Sequence, residues 1–325
     1  MQYSSNNIAA VCAIIGTAVA QSDVLGQAYP AKPVRIIVPF GAGGGTDIQA
    51  RLLSKKFYES MKQTYVVDNR AGAGGMIGAE AAARSPADGY TILFTTASLA
   101  VNVSLYAKAA TFNPVKDLQA VSWVSSVPLV LCVHPSVPAR SARELVALAK
   151  RRSGALNAGS NGSGTTSHLS IEMLQQYAGL GVTHVPYKGG GPAMTALLSG
   201  EVDFAFAVAL TAQPLVKANK VRALAVTTFR KSSAFPDLPT MASLYPGFES
   251  DNWYGMFFPA GTPADIVAKT NAEILKALKS PEIRDFIIKE GGDPVGSTPE
   301  QLASYFKREV DKYAKVIRAG NIQAE

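Results

Sequence analysis

The 325-residue chain is 47% hydrophobic and only 17% charged, too apolar for a disordered chain and long enough for two domains or one large one. Its 28 Gly and 19 Pro require many turns. The 31 Lys and Arg against 24 Asp and Glu leave a net charge of +7, which suits an anionic partner.

Residues 8–20 are thirteen apolar and small residues, short of the roughly 20 that span a bilayer. With small residues at Ala18 and Ala20, the run reads as the core of a secretory signal, cut after Ala20 or after Ala28. Residues 1–7 lack the Lys or Arg that usually leads such a signal. Residues 1–28 are assigned to it, and export is the expectation. A cut after Ala20 removes Cys12 and leaves Cys132 as one thiol, so no disulfide can form within the chain. Cys132 lies in an apolar run and reads as a small buried hydrophobe on a strand.

A β-branched run at 34–40 ends in a glycine cluster. Residues 47–61 follow with Ile48, Leu52, Leu53, Phe57 and Met61 at helical spacing. The alternation continues with strands at 65–68, 91–95, 129–134, 182–185, 202–206 and 221–226. Helices are predicted at 75–84, 141–152, 165–177, 192–198 and 213–219. This order specifies an α/β fold with parallel-rich sheets covered by helices on both faces. After a proline-rich connection at 235–248 come three helices, each opened by a hydroxyl residue and a proline: Thr262-Pro263, Ser280-Pro281 and Thr298-Pro299. Leu302, Phe306, Val310, Tyr313 and Ile317 form one apolar stripe on the last.

Four strand–helix junctions are built of small residues. The first, 41–47, holds Gly43, Gly44, Gly45, Thr46 and Asp47; the second, 71–76, holds Gly74, Gly75 and Met76. The third, 159–168, holds Gly164, Thr165, Thr166, Ser167 and His168; the fourth, 187–192, holds Lys188 and Gly189. The first turn of a helix leaves about four N–H groups without partners and carries partial positive charge, so such junctions accept anions. Any one alone is an ordinary βα turn. Four together point to one anion at the carboxyl ends of the strands. Hydrogen bonds to a charged group contribute roughly 1.5–3 kcal/mol each and micromolar affinity needs about 8, so three or four suffice without metal or cofactor. Gly159 and Gly164 have the spacing of a Walker loop, but Thr165 stands where its lysine belongs, and no loop completes GxGxxG. Carboxylate is the simplest remaining anion.

Residues 158–162 approximate a serine nucleophile elbow at Ser160. With His184 as base, the acid between them would be Glu172, implausibly close in sequence, so a secreted hydrolase using Ser160 is the second reading. His134, His168 and His184 are too far apart for a paired metal site. His168 opens a helix and either caps it or faces a ligand. No nucleic-acid motif is present.

The chain resembles the periplasmic solute-binding proteins of tripartite tricarboxylate transporters, the Bug receptors. The likeness runs through 29–35, 38–40 and 44–47, then 69–75, 88–91 and 113–114. It continues through 167–169, 184–189, 202–203, 224–227, 253–255 and 259–263. It implies a type II periplasmic binding fold: two lobes around a hinged cleft that closes on a small organic carboxylate for delivery to a membrane permease. A monomer with no enzymatic activity, no cofactor and no nucleic-acid partner is the accompanying expectation. Loops matching 41–47, beside Phe40, and 72–76 would hold one carboxylate, and the loop at 162–168 would close from the other lobe. Ser98, Lys188, Gly189 and Asp203 match positions near the cleft. Ala207 stands where members often carry an aspartate, which implies a plain mono- or dicarboxylate, aliphatic or aromatic, in preference to an amino acid. The lobes are expected at 29–127 plus 256–325 and at 128–255, with crossings at 129–134 and 252–258. A carboxylate sensor without a transport role is the third reading.

Overall fold

The structure is a computed structural model that describes residues 29–187, 189–228 and 231–323. The signal assigned to 1–28 and the candidate Lys188 lie outside the described residues.

The chain opens with β1 (Val34–Val38), α1 (Gly45–Met61), β2 (Tyr65–Asn69), α2 (Met76–Ala83), β3 (Thr91–Thr96) and α3 (Ser98–Leu105). A short α4 (Pro114–Asp117) leads into β4 (Leu118–Val133), followed by α5 (Ala142–Arg151), β5 (Asn157–Ser160) and α6 (Thr166–Ala178). Then come β6 (Thr183–Pro186), α7 (Gly190–Ser199), β7 (Phe204–Val208), α8 (Ala209–Lys217), β8 (Arg222–Val226) and a four-residue α9 (Met241–Leu244). The chain closes with β9 (Asp251–Pro259), α10 (Ala264–Leu278), α11 (Pro281–Lys289), β10 (Asp293–Pro294) and α12 (Pro299–Ala319).

These strands form one ten-stranded sheet in the order β2-β1-β3-β9-β4-β7-β5-β6, with β8 and β10 also on β4. The outer groups β2-β1-β3 and β7-β5-β6 are each parallel, as the alternation of strand and helix requires. β9 and β4 between them are antiparallel. β4 spans sixteen residues, not the six expected at 129–134. Its first part pairs β9 as far as Pro128 opposite Asp251; from Leu129 onward it pairs β7, and from Val130 also β8. Pro128, which has no N–H to give, falls where the partners change. Ser125, Ser126 and Pro128 break the hydrophobic pattern and hide the earlier half.

Two helix starts depart from expectation. Thr262 does not cap α10: Pro263 is the N-cap, and the Thr262 hydroxyl donates to the Pro259 carbonyl. Ser280 is the N-cap of α11, yet its hydroxyl donates back to Ala277. Thr298 does cap α12, in a reciprocal pair with Gln301. Helix α8 begins at Ala209 instead of 213, with Pro214 inside it. On α12, Leu302, Phe306, Tyr313 and Ile317 are buried and Val310 is partly so, and the helix packs on α3, β4 and α6. Cys132 is fully buried, and burial pushes its thiol up to about 12, so it behaves as the hydrophobe expected. Helix α3 was not foreseen: Leu99, Ala100 and Val101 are all buried, and a helix covered on several sides shows no amphipathic period.

Candidate functional site

The four glycine loops form one continuous chain of contacts. Asn69, at the end of β2, donates through Nδ2 to the Phe40 carbonyl and to Asp47 Oδ1, both at 3.0 Å, which fastens the first loop to the second strand. The Phe40 ring lies 3.4 Å from where a Cβ on Gly75 would stand, so it sits between the first and second loops. Asn102 on α3 donates through Nδ2 to the Gly74 carbonyl at 2.7 Å, and its Oδ1 lies 3.5 Å from the position of a Gly164 Cβ. That joins the second loop to the third. The Gly189 amide donates to the Asn161 carbonyl at 3.0 Å, joining the third to the fourth.

Within the chain of loops, not every amide is available. The Gly43 N–H donates to Asp47 Oδ2 at 2.9 Å, and Gly75 and Met76 donate to Gly72 and Ala73 carbonyls. These three positions hold the loops in shape instead of facing a ligand. The amides of Gly44, Gly45, Thr46 and Asp47 find no acceptor among the described residues, since Gly44 is an N-cap without a side chain. Those four N–H groups stand on the positive end of a 17-residue helix, an arrangement that suits an anion. Asp47 shapes them: besides Gly43 and Asn69 it accepts from Arg51 Nε and Nη2, each at 3.0 Å. Burial pushes its carboxyl up, but the Arg51, Gly43 and Asn69 bonds outweigh that and hold it below the usual range.

The third loop is closed on itself. Gly164 donates to His168 Nδ1 at 3.1 Å, the Thr165 hydroxyl caps the His168 amide and reaches Ser167, and Ser167 accepts from the Asn161 amide. Thr166, Ser167 and His168 are buried. His168 thus orders the loop through its ring, and it stacks on His184 with centroids 3.9 Å apart. Ser160 Oγ lies 2.6 Å from His184 Nε2, as a hydrolase would need, but it is fully buried and also accepts from the Gly162 amide. Glu172 stands beside His168, 3.7 Å from Nε2. A nucleophile elbow exposes its serine; this one is sealed.

The remaining candidates separate. Ser98 is nearly buried at the start of α3, four residues before Asn102. Asp203 precedes β7 and accepts from the Asn157 amide at 2.7 Å, at the start of β5. That is the end of the strands opposite to the glycine loops, where it anchors strand to strand. Ala207 is buried in an apolar cluster with Val130 and Cys132. A groove of about 750 Å³ between α6 and α12 gathers Lys307, Arg308, Lys312 and Lys315 with Asp311, apart from the loops.

Two residues at the site escaped the sequence reading, Asn102 and Glu290. Glu290 is 4% exposed, accepts from Gln49 Nε2 at 3.1 Å, and places Oε1 2.7 Å from where a Gly45 Cβ would be. Ser125 completes the cluster on Gln49, and the Tyr254 hydroxyl is also against Gly45. Burial pushes the Glu290 carboxyl up to about 7, only partly offset by Gln49. The folded chain holds this proton to about pH 7, whereas the unfolded chain releases it near 4.5, so the contribution to stability is full below 4.5 and lost as pH rises through 7. Urea unfolding at pH 5 and pH 8 is expected to show Glu290→Gln losing up to about 3 kcal/mol less than the wild type across that interval. Equal losses would show that Glu290 is ionised at pH 5.

A family model described as the tripartite tricarboxylate transporter family receptor, TctC, matches residues 49–322. The chain belongs to the TctC family. Protein BugT of Bordetella pertussis is 38% identical over 314 residues, covering 96% of both chains. Among solved structures, R. palustris Rpa4515 with adipate superposes with a TM-score of 0.80 at 33% identity, over 91% of this chain and 99% of that one. MatC from Rhodopseudomonas palustris with bound malate gives 0.76 at 30%, over 89% and 100%. The fold is that of the periplasmic binding proteins in this family, and the family is one of receptors. Among the described residues no helix is long and apolar enough to cross a membrane.

Proposed function

We propose that this TctC-family chain is a periplasmic receptor that captures a small organic carboxylate between two lobes and presents it to a membrane permease. The observation that carries the reading is the unpartnered amide set at residues 44–47, at one end of the chain of loops that runs through Asn69, Asn102 and Asn161. The relatives solved with adipate and malate supply the ligand class. The lobes are residues 29–127 plus 256–325 and residues 128–255, a division supported by the change of β4's partners at Pro128. The receptor works as a monomer after the leader at 1–28 is removed. Ala207 lies in an apolar cluster and offers no counter-charge to an ammonium group, so a plain acid is preferred to an amino acid.

A thermal-shift screen of mono- and dicarboxylates tests this. An acid at 100 times its dissociation constant adds about 2.7 kcal/mol, a visible rise in Tm. Stabilisation by glutamate or aspartate alone overturns the ligand class, and no shift with any acid overturns the receptor reading.

A further inference from the structure

Helix α3 brings one side chain between the second and third loops, and half of that side chain has nothing to bond. Asn102 is 1% exposed. Its amide orientation is fixed, because Nδ2 donates to the Gly74 carbonyl at 2.7 Å. That leaves Oδ1 as an acceptor, buried and without a hydrogen-bond partner. The oxygen faces two glycines from opposite halves of the sheet: it lies 3.3 Å from the Cβ position of Gly74 and 3.5 Å from that of Gly164. Both glycines have positive φ, and the Leu105 side chain lies beside the same place, with Cδ2 2.5 Å from the Gly164 Cβ position. On the third loop, the Gly164 amide is already committed to His168 Nδ1.

A buried acceptor left unpaired costs about 1–3 kcal/mol, and such atoms in native structures are rare. A carboxylate cannot relieve it, since carboxylate oxygens only accept. The partner must bring a hydrogen. An ammonium group would seek a charged acceptor or several neutral ones, and a single neutral amide oxygen suits a hydroxyl better.

Resting on the carboxylate-receptor reading, we infer that Asn102 Oδ1 is a specificity group of the cleft that accepts a hydrogen bond from a hydroxyl on the bound acid. The ligand class narrows to hydroxycarboxylates. The loop amides recognise the charge, and Asn102 recognises the hydroxyl beside it. An acid without the hydroxyl enters the same cleft and leaves the amide oxygen as it is now.

Calorimetric titration of matched pairs tests this: succinate against malate, and glutarate against 2-hydroxyglutarate. In malate the hydroxyl is α to one carboxylate and β to the other, so either register on the loops is sampled. The hydroxy member of each pair is expected to bind about tenfold more tightly or better, and Asn102→Leu to bring the ratio close to one. A purely structural role for Asn102 would weaken both members by the same factor and leave the ratio intact, which overturns the inference. Equal or tighter binding of succinate and glutarate by the wild type also overturns it, whether or not the variant folds, while leaving the receptor reading standing. If none of these acids, nor any other in the thermal screen, binds at millimolar concentration, the receptor reading falls and takes the inference with it.

Discussion

Asp47→Ala is expected to abolish carboxylate binding at millimolar ligand and to destabilise the fold by roughly 3 kcal/mol. The carboxylate is 3% exposed and receives hydrogen bonds from Gly43, Arg51 and Asn69. Removing it takes the Gly43 amide's partner, leaves Asn69 only the Phe40 carbonyl, and frees the first loop to turn its donors away from the ligand. The Arg51 guanidinium is half exposed and will find water, which keeps the stability cost at the low end of the range for a broken buried pair. Asp47→Asn, which keeps one acceptor, should fall between alanine and wild type. Urea denaturation gives the stability change and calorimetry the affinity. Wild-type affinity in Asp47→Ala would remove the first loop from the binding site.

Gly291→Ala should destabilise by about 3 kcal/mol and lower Tm by roughly 5 °C. The glycine has φ +78°, a conformation costly for alanine, and a Cβ there would stand 2.4 Å from the Cβ of Ala209 and 3.2 Å from that of Ala234. Neither neighbour can swing aside, because each ends in the atom that is struck. The contact also joins the end of α11 to the start of α8, across β4. The same substitution should therefore weaken ligand binding, even though residue 291 touches none of the four loops directly. A shift in Tm below 2 °C would mean that the two segments separate easily.

The alternation of strands and helices was visible along the chain because each β-branched run meets a glycine cluster and then a helical period. The four loops could be located for the same reason, and the structure brings them together. Which amides remain free could not be read. Gly43 is silenced by Asp47 four residues on, and Gly75 and Met76 by turns inside their own loop. Such local bonds depend on backbone angles that glycine leaves undetermined. Asp203 was a sound motif match placed at the wrong end of its strand, since a short string fixes neighbours but not the direction in which they face. Asn102 sits in the run Leu99-Ala100-Val101-Asn102-Val103, where a lone polar residue among apolar ones was the available signal. Glu290 had no signal: it follows the end of α11, 241 residues after its partner Gln49.

The long shared strand β4 sets limits on how the molecule can deform. A backbone bonded to β9 over its first part and to β7 and β8 over its last cannot slide along either group without breaking several ladder bonds at once. Sliding is therefore expensive and rotation cheap. Twist is easiest to absorb where the ladder is already irregular, between Ala120 and Ser122 and between Trp123 and Ser125, and at Pro128. Torsion about this axis leaves the spacing of the loops along the strands unchanged while altering how far their tips stand apart.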